Sequence, residues 1–153
     1  MNMKTPIIPL SRFVQPGFLE GFPGLTEKVF ETILTKHKGV IIEGTGMGHL
    51  AITPRDKKAS LLTVLKKAIK KGIIVGMTSQ CLYGRVDPLV YSYGRQLQEA
   101  GVIYLEDMLP ETAYVKLGVV LAKAKKKKEV EALMLENWTG EVGSALTEKD
   151  FLR

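Results

Sequence analysis

The stretch "EGTGMGHL", residues 43–50, places Gly44, Gly46 and Gly48 at alternate positions directly behind the apolar run "KGVII". Glycines so spaced let main chain approach a ligand closely, and a glycine turn behind a strand often cradles phosphate. The dinucleotide fingerprint is G-x-G-x-x-G, with a helix beginning at once and an acid about 20 residues further on. Here the helical pattern resumes only after Pro54, and the next strand ends in "MTSQ", without a carboxylate. A Walker motif is also absent. The turn therefore reads as a close-approach loop, not a nucleotide cradle.

A second polar stretch, "TSQCLYGRV", gathers Thr78, Ser79, Gln80, Tyr83 and Arg85 behind another apolar run. It can face a ligand or an interface, or Ser79 and Gln80 can simply satisfy loop main chain; both readings stand. Cys81 and His49 are the residue types of a thiol nucleophile and its base. A lone cysteine more often fills a small apolar gap, and a buried, inert Cys81 is the expectation. His37, in "KHKG", is expected to favour a helix C-terminus. Two histidines far apart do not make a zinc site, so neither metal nor cofactor is expected. In "EDMLPE", the carboxylates Glu106, Asp107 and Glu111 suit the start of a helix, and capping is their expected role.

These loops need a frame, and the hydrophobic pattern supplies one. Apolar residues at Leu25, Val29, Phe30, Ile33 and Leu34 have helical spacing, and Leu61, Leu62, Leu65, Ala68 and Ile69 repeat it. Further helices are read over "VYSYGRQLQEAG", over "PETAYVKLGVVLAKA" with Pro110 at N1, and over "KEVEALMLEN". Strands are read at "TPIIPL", weakened by its two prolines, and at "GVIIE", "IIVGM" and "VIYL". Strands and helices alternating over short connections mean βαβ units. The expected fold is α/β, a small doubly wound four-stranded parallel sheet with flanking helices. Ligands of such sheets lie beyond the strands' carboxyl ends, where loops 44–49, 78–87 and 106–109 fall.

Composition bounds the rest. A chain of 153 residues with 45% hydrophobic and 25% charged residues suits one domain with a single core. No apolar stretch approaches the ~20 residues of a membrane span, so no membrane partner is expected. One cysteine cannot form an internal disulfide, which fits a cytoplasmic protein. The net charge of +6 is concentrated in lysine pairs at 57–58, 66–67 and 70–71 and in "KAKKKK" at 123–128. Such runs usually form solvated helix faces, and no aromatic residues are interleaved to stack on bases. Nonspecific nucleic-acid binding through them is the competing reading.

Taken in order, "GVIIEGTGMGH", "MTSQCLYGRVDPLVYSYGRQLQEAGVI" and "EDMLPETAYVKL" resemble the C-terminal domain of type I L-asparaginase-like amidohydrolases. Within that family they are most similar to the D subunit of archaeal glutamyl-tRNA(Gln) amidotransferase. The likeness extends from Pro16 to Glu141. It implies a parent with a large N-terminal domain carrying a threonine nucleophile in a "TGGT"-like turn and a second set in "HGTDT"; neither motif occurs here. The expectation is a single asparaginase C-terminal-like domain, 1–153, without the catalytic N-terminal domain and inactive by itself. The resemblance assigns no catalytic residue to this chain. It places Thr45, Gly46, Met47, Gly48 and His49, with Ser79, Gln80 and Tyr83, in a substrate or interface loop set.

The implied partners are an N-terminal asparaginase-like domain, further copies in a homo-oligomer, and a second amidotransferase subunit with tRNA in the parent complex. A partner-dependent half of a split L-asparaginase and a non-catalytic basic interaction module are the alternatives. Two positions depart from the family. Met47 stands where periplasmic asparaginases carry a loop Asn, and Gly118 in "VKLGVV" stands where a Met-Trp pair commonly begins. The glycine is expected to thin the packing of its helix or to leave room for a partner.

Overall fold

Side chains of a parallel strand covered on both faces point alternately into two cores. The computed structural model, which describes residues 8–52 and 60–148, shows this alternation. A short 3-10 turn (Leu10–Arg12) leads into β1 (Gly17–Glu20), α1 (Glu27–Lys36), β2 (Gly39–Gly44), α2 (Leu61–Lys70) and β3 (Ile74–Ser79). Then come α3 (Ser92–Ala100), β4 (Ile103–Tyr104), α4 (Pro110–Lys123) and α5 (Lys127–Leu135). The four strands pair in parallel in the order β1-β2-β3-β4. Val40, Ile42, Val75 and Met77 face α1, α2 and α3, whereas Ile41, Ile74 and Ile103 face α4 and α5. Helices thus cover both faces of the sheet, as the α/β pattern requires.

Element ends follow local chemistry. The Thr26 hydroxyl caps α1, and the Ser60 hydroxyl caps α2 by accepting from the Leu62 N–H at 3.1 Å. Gly101 ends α3 in the left-handed region at φ 100°, the conformation a glycine stop supplies. His37 is the C-cap residue of α1 and its ring packs over Gly17. Val29, grouped with the apolar face of α1 by spacing, is exposed at the helix's first turn. The first strand is a correction. Thr5 to Ile7 of "TPIIPL" lie outside the described residues, Pro9 precedes the 3-10 turn, and β1 is instead the four-residue "GFLE". Pairing with the long buried β2, from Gly17↔Val40 to Glu20↔Glu43, makes this short segment a strand.

Gly118 sits mid-helix in α4, and a Cβ there would collide with the ring of Phe13. The Val14 N–H donates to the Gly118 carbonyl at 3.3 Å, and Phe13 packs against Tyr114 with ring centroids 6.4 Å apart. The gap in α4 is therefore filled by the chain's own N-terminal segment. Below α4 lies the buried ion pair Lys116–Glu141, at 2.6 Å. Lys116 stands 4.7 Å from the Trp138 ring centroid, and Glu141 also accepts from the Thr139 N–H at 2.7 Å and the Trp138 N–H at 3.1 Å. Burial pushes the Glu141 carboxyl up, but the Lys116 hydrogen bond and those of the Thr139 and Trp138 main chain outweigh it and hold the pKa at about 2.

Two outcomes follow. Phe13→Ala should cost about 1–3 kcal/mol in urea unfolding, and Gly118→Met should destabilise by overpacking. Combined, the two should cost less than their sum, since Met fills the space left by Phe13; strict additivity would contradict this packing. Glu141→Gln should cost about 3–5 kcal/mol near neutral pH, because it leaves a buried ammonium unpaired. The carboxylate's contribution is present above its ordinary pKa of 4.5 and is lost as pH falls toward about 2. The gap between the parent chain and Glu141→Gln should therefore narrow below pH 4.5. A pH-independent gap would show that the charge is not what matters.

Candidate functional site

β2 and β3 end in register at Gly44↔Ser79, so the loops behind them leave the sheet side by side. The first is a tight turn. The Thr45 N–H donates to the His49 carbonyl and the His49 N–H to the Thr45 carbonyl, both at 3.0 Å, while the Gly48 N–H reaches the Thr45 carbonyl at 3.1 Å. Both glycines take up left-handed backbone there, and the second is also sterically confined. Gly46 and Gly48 have φ of 51° and 86°, and a Cβ on Gly48 would meet Val86, Met77 and Tyr104. α2 begins only at Leu61, so this turn does not open a helix as a dinucleotide loop must.

Side chains and main chain from neighbouring elements hold the turn from beneath. The Ser79 hydroxyl donates to the Gly46 carbonyl and accepts from the Cys81 N–H at 2.9 Å. The Asp87 N–H donates to the Met47 carbonyl at 3.0 Å. The Tyr104 hydroxyl donates to the Gly48 carbonyl at 3.1 Å, and burial pushes its pKa up, so it stays a donor. The carbonyls of residues 45–48 are thus all engaged. The Gly46 and Met47 N–H groups carry no hydrogen bond among the described residues. Two adjacent main-chain donors at the tip of a fixed turn suit a carboxylate or amide oxygen.

Beside the turn is a cavity of about 430 Å³. Gly46, Met47, Ser79 and Tyr83 line it, as expected from sequence, together with Cys81, Gly84, Arg85, Asp87 and Leu146. Thr45 and Gly48 build the turn itself. Gln80 acts away from the cavity, where its amide donates to the Gly21 carbonyl at 2.6 Å and the Glu43 carbonyl at 3.3 Å, stapling the ends of β1 and β2. His49 leaves the cavity and stands edge-on to Tyr91, with ring centroids 5.1 Å apart and a buried Nε2 that makes no hydrogen bond among the described residues.

Two expectations are overturned. Cys81 is exposed, because it lies two residues past the last paired residue of β3, outside the covered faces of the sheet. No hydrogen bond joins it to His49, whose ring stands against Tyr91 instead. Glu106 and Asp107 do not cap α4, whose N-cap is Leu109 with no side-chain cap. Glu106 instead pairs with Arg85 at 2.5 Å, and Asp107 accepts from the Gly143 N–H at 2.8 Å. Glu111 does occupy the first turn of α4. Nearby, burial and then the Glu20 and Glu111 carboxylates push the Glu43 carboxyl pKa up.

Sequence reasoning missed Tyr104 and Asp87 as supports of the turn. A lone phenol within "VIYL" is a usable signal, since a buried tyrosine needs a partner for its hydroxyl. Asp87 gives none, because it acts through its main chain. Apart from Tyr83, the hydroxyl groups of the loop pair are committed to main-chain carbonyls. Thr45 donates to the His49 carbonyl at 3.3 Å, Thr78 to the Ile42 carbonyl at 3.3 Å, and Ser79 to that of Gly46. None is paired with a base.

The chain belongs to the glutaminase/asparaginase C-terminal domain family, whose model matches residues 17–134. It is 48% identical over 138 residues to the D subunit of glutamyl-tRNA(Gln) amidotransferase from Thermococcus kodakarensis, covering 90% of this chain and 30% of that protein. The corresponding protein of Pyrococcus abyssi is 48% identical over 122 residues, covering 79% of this chain and 26% of that one. Among solved structures, the thermostable L-asparaginase from Thermococcus kodakarensis superposes with TM-score 0.77 at 30% identity, over 87% of this chain and 40% of that one. L-asparaginase I from Vibrio cholerae gives TM-score 0.73 at 33% identity, over 90% and 39%. The chain thus spans under a third of the curated relatives it matches. No described helix is long and apolar enough to cross a membrane.

If Ser79 fixes the turn, Ser79→Ala should cost about 1 kcal/mol in urea unfolding. The amide resonances of residues 45–48 should shift and broaden while those of α5 stay in place. Broadening spread evenly over the whole chain would contradict a local role for this hydroxyl.

Proposed function

We propose that this chain supplies the small-domain half of an amide-hydrolysing site, in an ammonia-releasing subunit of the glutamyl-tRNA(Gln) amidotransferase type. The parent activity would hydrolyse glutamine, and a second subunit would use the ammonia to amidate glutamate carried on tRNA. The single observation that carries this reading is the turn at residues 45–48, with every carbonyl engaged and the Gly46 and Met47 N–H groups unpaired beside a cavity. Amide hydrolysis also needs an activated nucleophile. Neither Ser79, Thr45 nor Thr78 is poised for that role, which supports a nucleophile supplied by the threonine-bearing domain of the parent.

In this reading Gly46 and Met47 approach the substrate through main chain, Thr45 and Gly48 shape the turn, and Ser79 and Tyr83 line the closing wall. Gln80 and His49 support the loops and do not touch substrate. Met47 brings a thioether where an amide side chain would offer a polar contact, so recognition at this position falls to the backbone. Exposed apolar side chains around the loops, among them Leu82, Leu89 and Tyr91, support association with the N-terminal domain and with further copies of the chain. The exposed, reduced thiol of Cys81 suits the cytoplasm. The L-asparaginases among the similar structures favour a second reading, the partner-dependent half of a split asparaginase.

The pure 153-residue chain should release no ammonia from glutamine or asparagine. Mixed with a family N-terminal domain, it should restore turnover, with glutamine preferred on the first reading and asparagine on the second. Turnover by the chain alone would overturn the half-site account.

A further inference from the structure

Strand β4 lies at an edge of the sheet and pairs on one side only, with β3. Its register is Gly76↔Ile103 and Met77↔Tyr104, and the Leu105 N–H donates to the Met77 carbonyl at 2.9 Å. Alternate residues of a parallel ladder turn their main chain to opposite sides. Ile103 and Leu105 therefore face β3, and the N–H and C=O of Tyr104 face away from it. No loop among the described residues bonds to either group. Just past the strand the chain closes this edge itself, where the Val86 N–H donates to the Glu106 carbonyl at 2.9 Å. The open stretch is β4 proper. It is also recessed, since Ile103 and Tyr104 are buried and a cavity of about 390 Å³ runs beside them. Buried main-chain groups without partners are rare in a finished structure.

The walls of this groove say what fits it. One wall is residues 85–89 with Gln98 of α3, and the other is a stripe of α5 formed by Lys127, Glu131 and Leu135. That stripe recurs every fourth residue, so the wall runs for ~12 Å. An extended chain covers this distance in about four residues. Each wall carries an exposed leucine, Leu89 on one and Leu135 on the other. Main-chain donor and acceptor on the floor, with apolar side chains above and below, are the contacts an added strand uses. A second copy of this chain cannot bring its own β4 to the floor, because that edge is recessed between the same walls. Charge sets the polarity of the occupant. Lys127 Nζ donates to the Gly101 carbonyl at 3.0 Å and keeps further N–H groups exposed at the amino end of the groove. Glu131, midway along, disfavours acidic side chains at the centre, and Glu106 at the far end is already paired with Arg85.

We propose that the groove along β4 takes an extended segment of a partner protein as a fifth strand, bonded to the Tyr104 main chain. The segment places apolar side chains against Leu89 and Leu135 and an acidic residue at the Lys127 end. The groove shares only Arg85 and Asp87 with the cavity beside the glycine turn, and the proposal does not depend on which amide the completed site hydrolyses.

The test selects a randomised heptapeptide library, displayed on phage, against the immobilised 153-residue chain and measures the recovered peptides by fluorescence anisotropy. Recovered sequences should carry apolar residues at alternate positions and Asp or Glu at one end. Bound peptide should slow hydrogen exchange at the Tyr104 amide. N-methylating alternate peptide amides should weaken binding about tenfold or more in one phase of the alternation and little in the other, since one set alone faces the edge. L89K/L135K should weaken binding about tenfold. K127Q should weaken it about two- to fivefold. Val115→Lys, at an exposed position of α4 outside the groove, should have no effect. Circular dichroism should show all three variants folded. No enrichment over the L89K/L135K chain, unchanged Tyr104 exchange, or an equal loss in Val115→Lys would each overturn the proposal. Tyr104 protection that grows with the concentration of the chain alone would put a second copy in the groove and overturn it as well.

Discussion

Parallel pairing of β2 with β3 runs unbroken from Gly39↔Ile74 to Gly44↔Ser79, and the positions of both loops depend on it. Because the two strands end level, the Ser79 hydroxyl arrives beneath the Gly46 carbonyl and the Gln80 N–H beneath that of Gly44, at 2.9 Å for the latter. A register slip of one residue would reverse the face of every β3 side chain, sending Val75 and Met77 to the α4 side and removing Ser79 from the turn. The buried aliphatic side chains on both faces are what forbid that slip. The hydrophobic core and the geometry of the turn are in this sense one constraint.

That constraint gives the molecule two ends of different chemistry. At the carboxyl end stand unpaired main-chain donors, a cavity, exposed aromatic and apolar side chains, and carboxylates such as Glu43, whose pKa burial raises. At the amino end the helix termini gather exposed lysines. α4 bridges the two ends: its first turn brings Glu111 near Glu43, and its later turns cover Gly39. Phe13 in the Gly118 notch and the buried Lys116–Glu141 pair keep α4 in that position.

Much of this is legible in the sequence, for identifiable reasons. β2, β3 and all five helices carry strong apolar periodicity or a clear stop, as at Gly72 and Gly101, and their bounds follow within a few residues. β1 does not, because four residues hold too little pattern and their strand character comes from β2. In the site, the glycine turn is legible because the backbone angles of residues 46 and 48 favour glycine. The roles of its neighbours are not. Whether Gln80 faces the cavity or staples β1 depends on where Gly21 lies, and that is set by a long-range pairing. Cys81 departs from expectation because a residue-type preference says nothing about a loop just beyond a strand end. Glu106 and Asp107 do so for a similar reason: Arg85 and the Gly143 N–H, distant in sequence, take those carboxylates.

The central claim is that residues 44–49 and 79–87 form half of an amide site that a nucleophile-bearing domain completes. Amide hydrogen exchange, followed with and without a family N-terminal domain, tests it most directly. Slowed exchange at Gly46 and Met47 and through residues 79–87, with α5 unchanged, is the predicted result. Protection confined to the lysine-bearing helix ends, with the glycine turn exchanging as in the free chain, would contradict it.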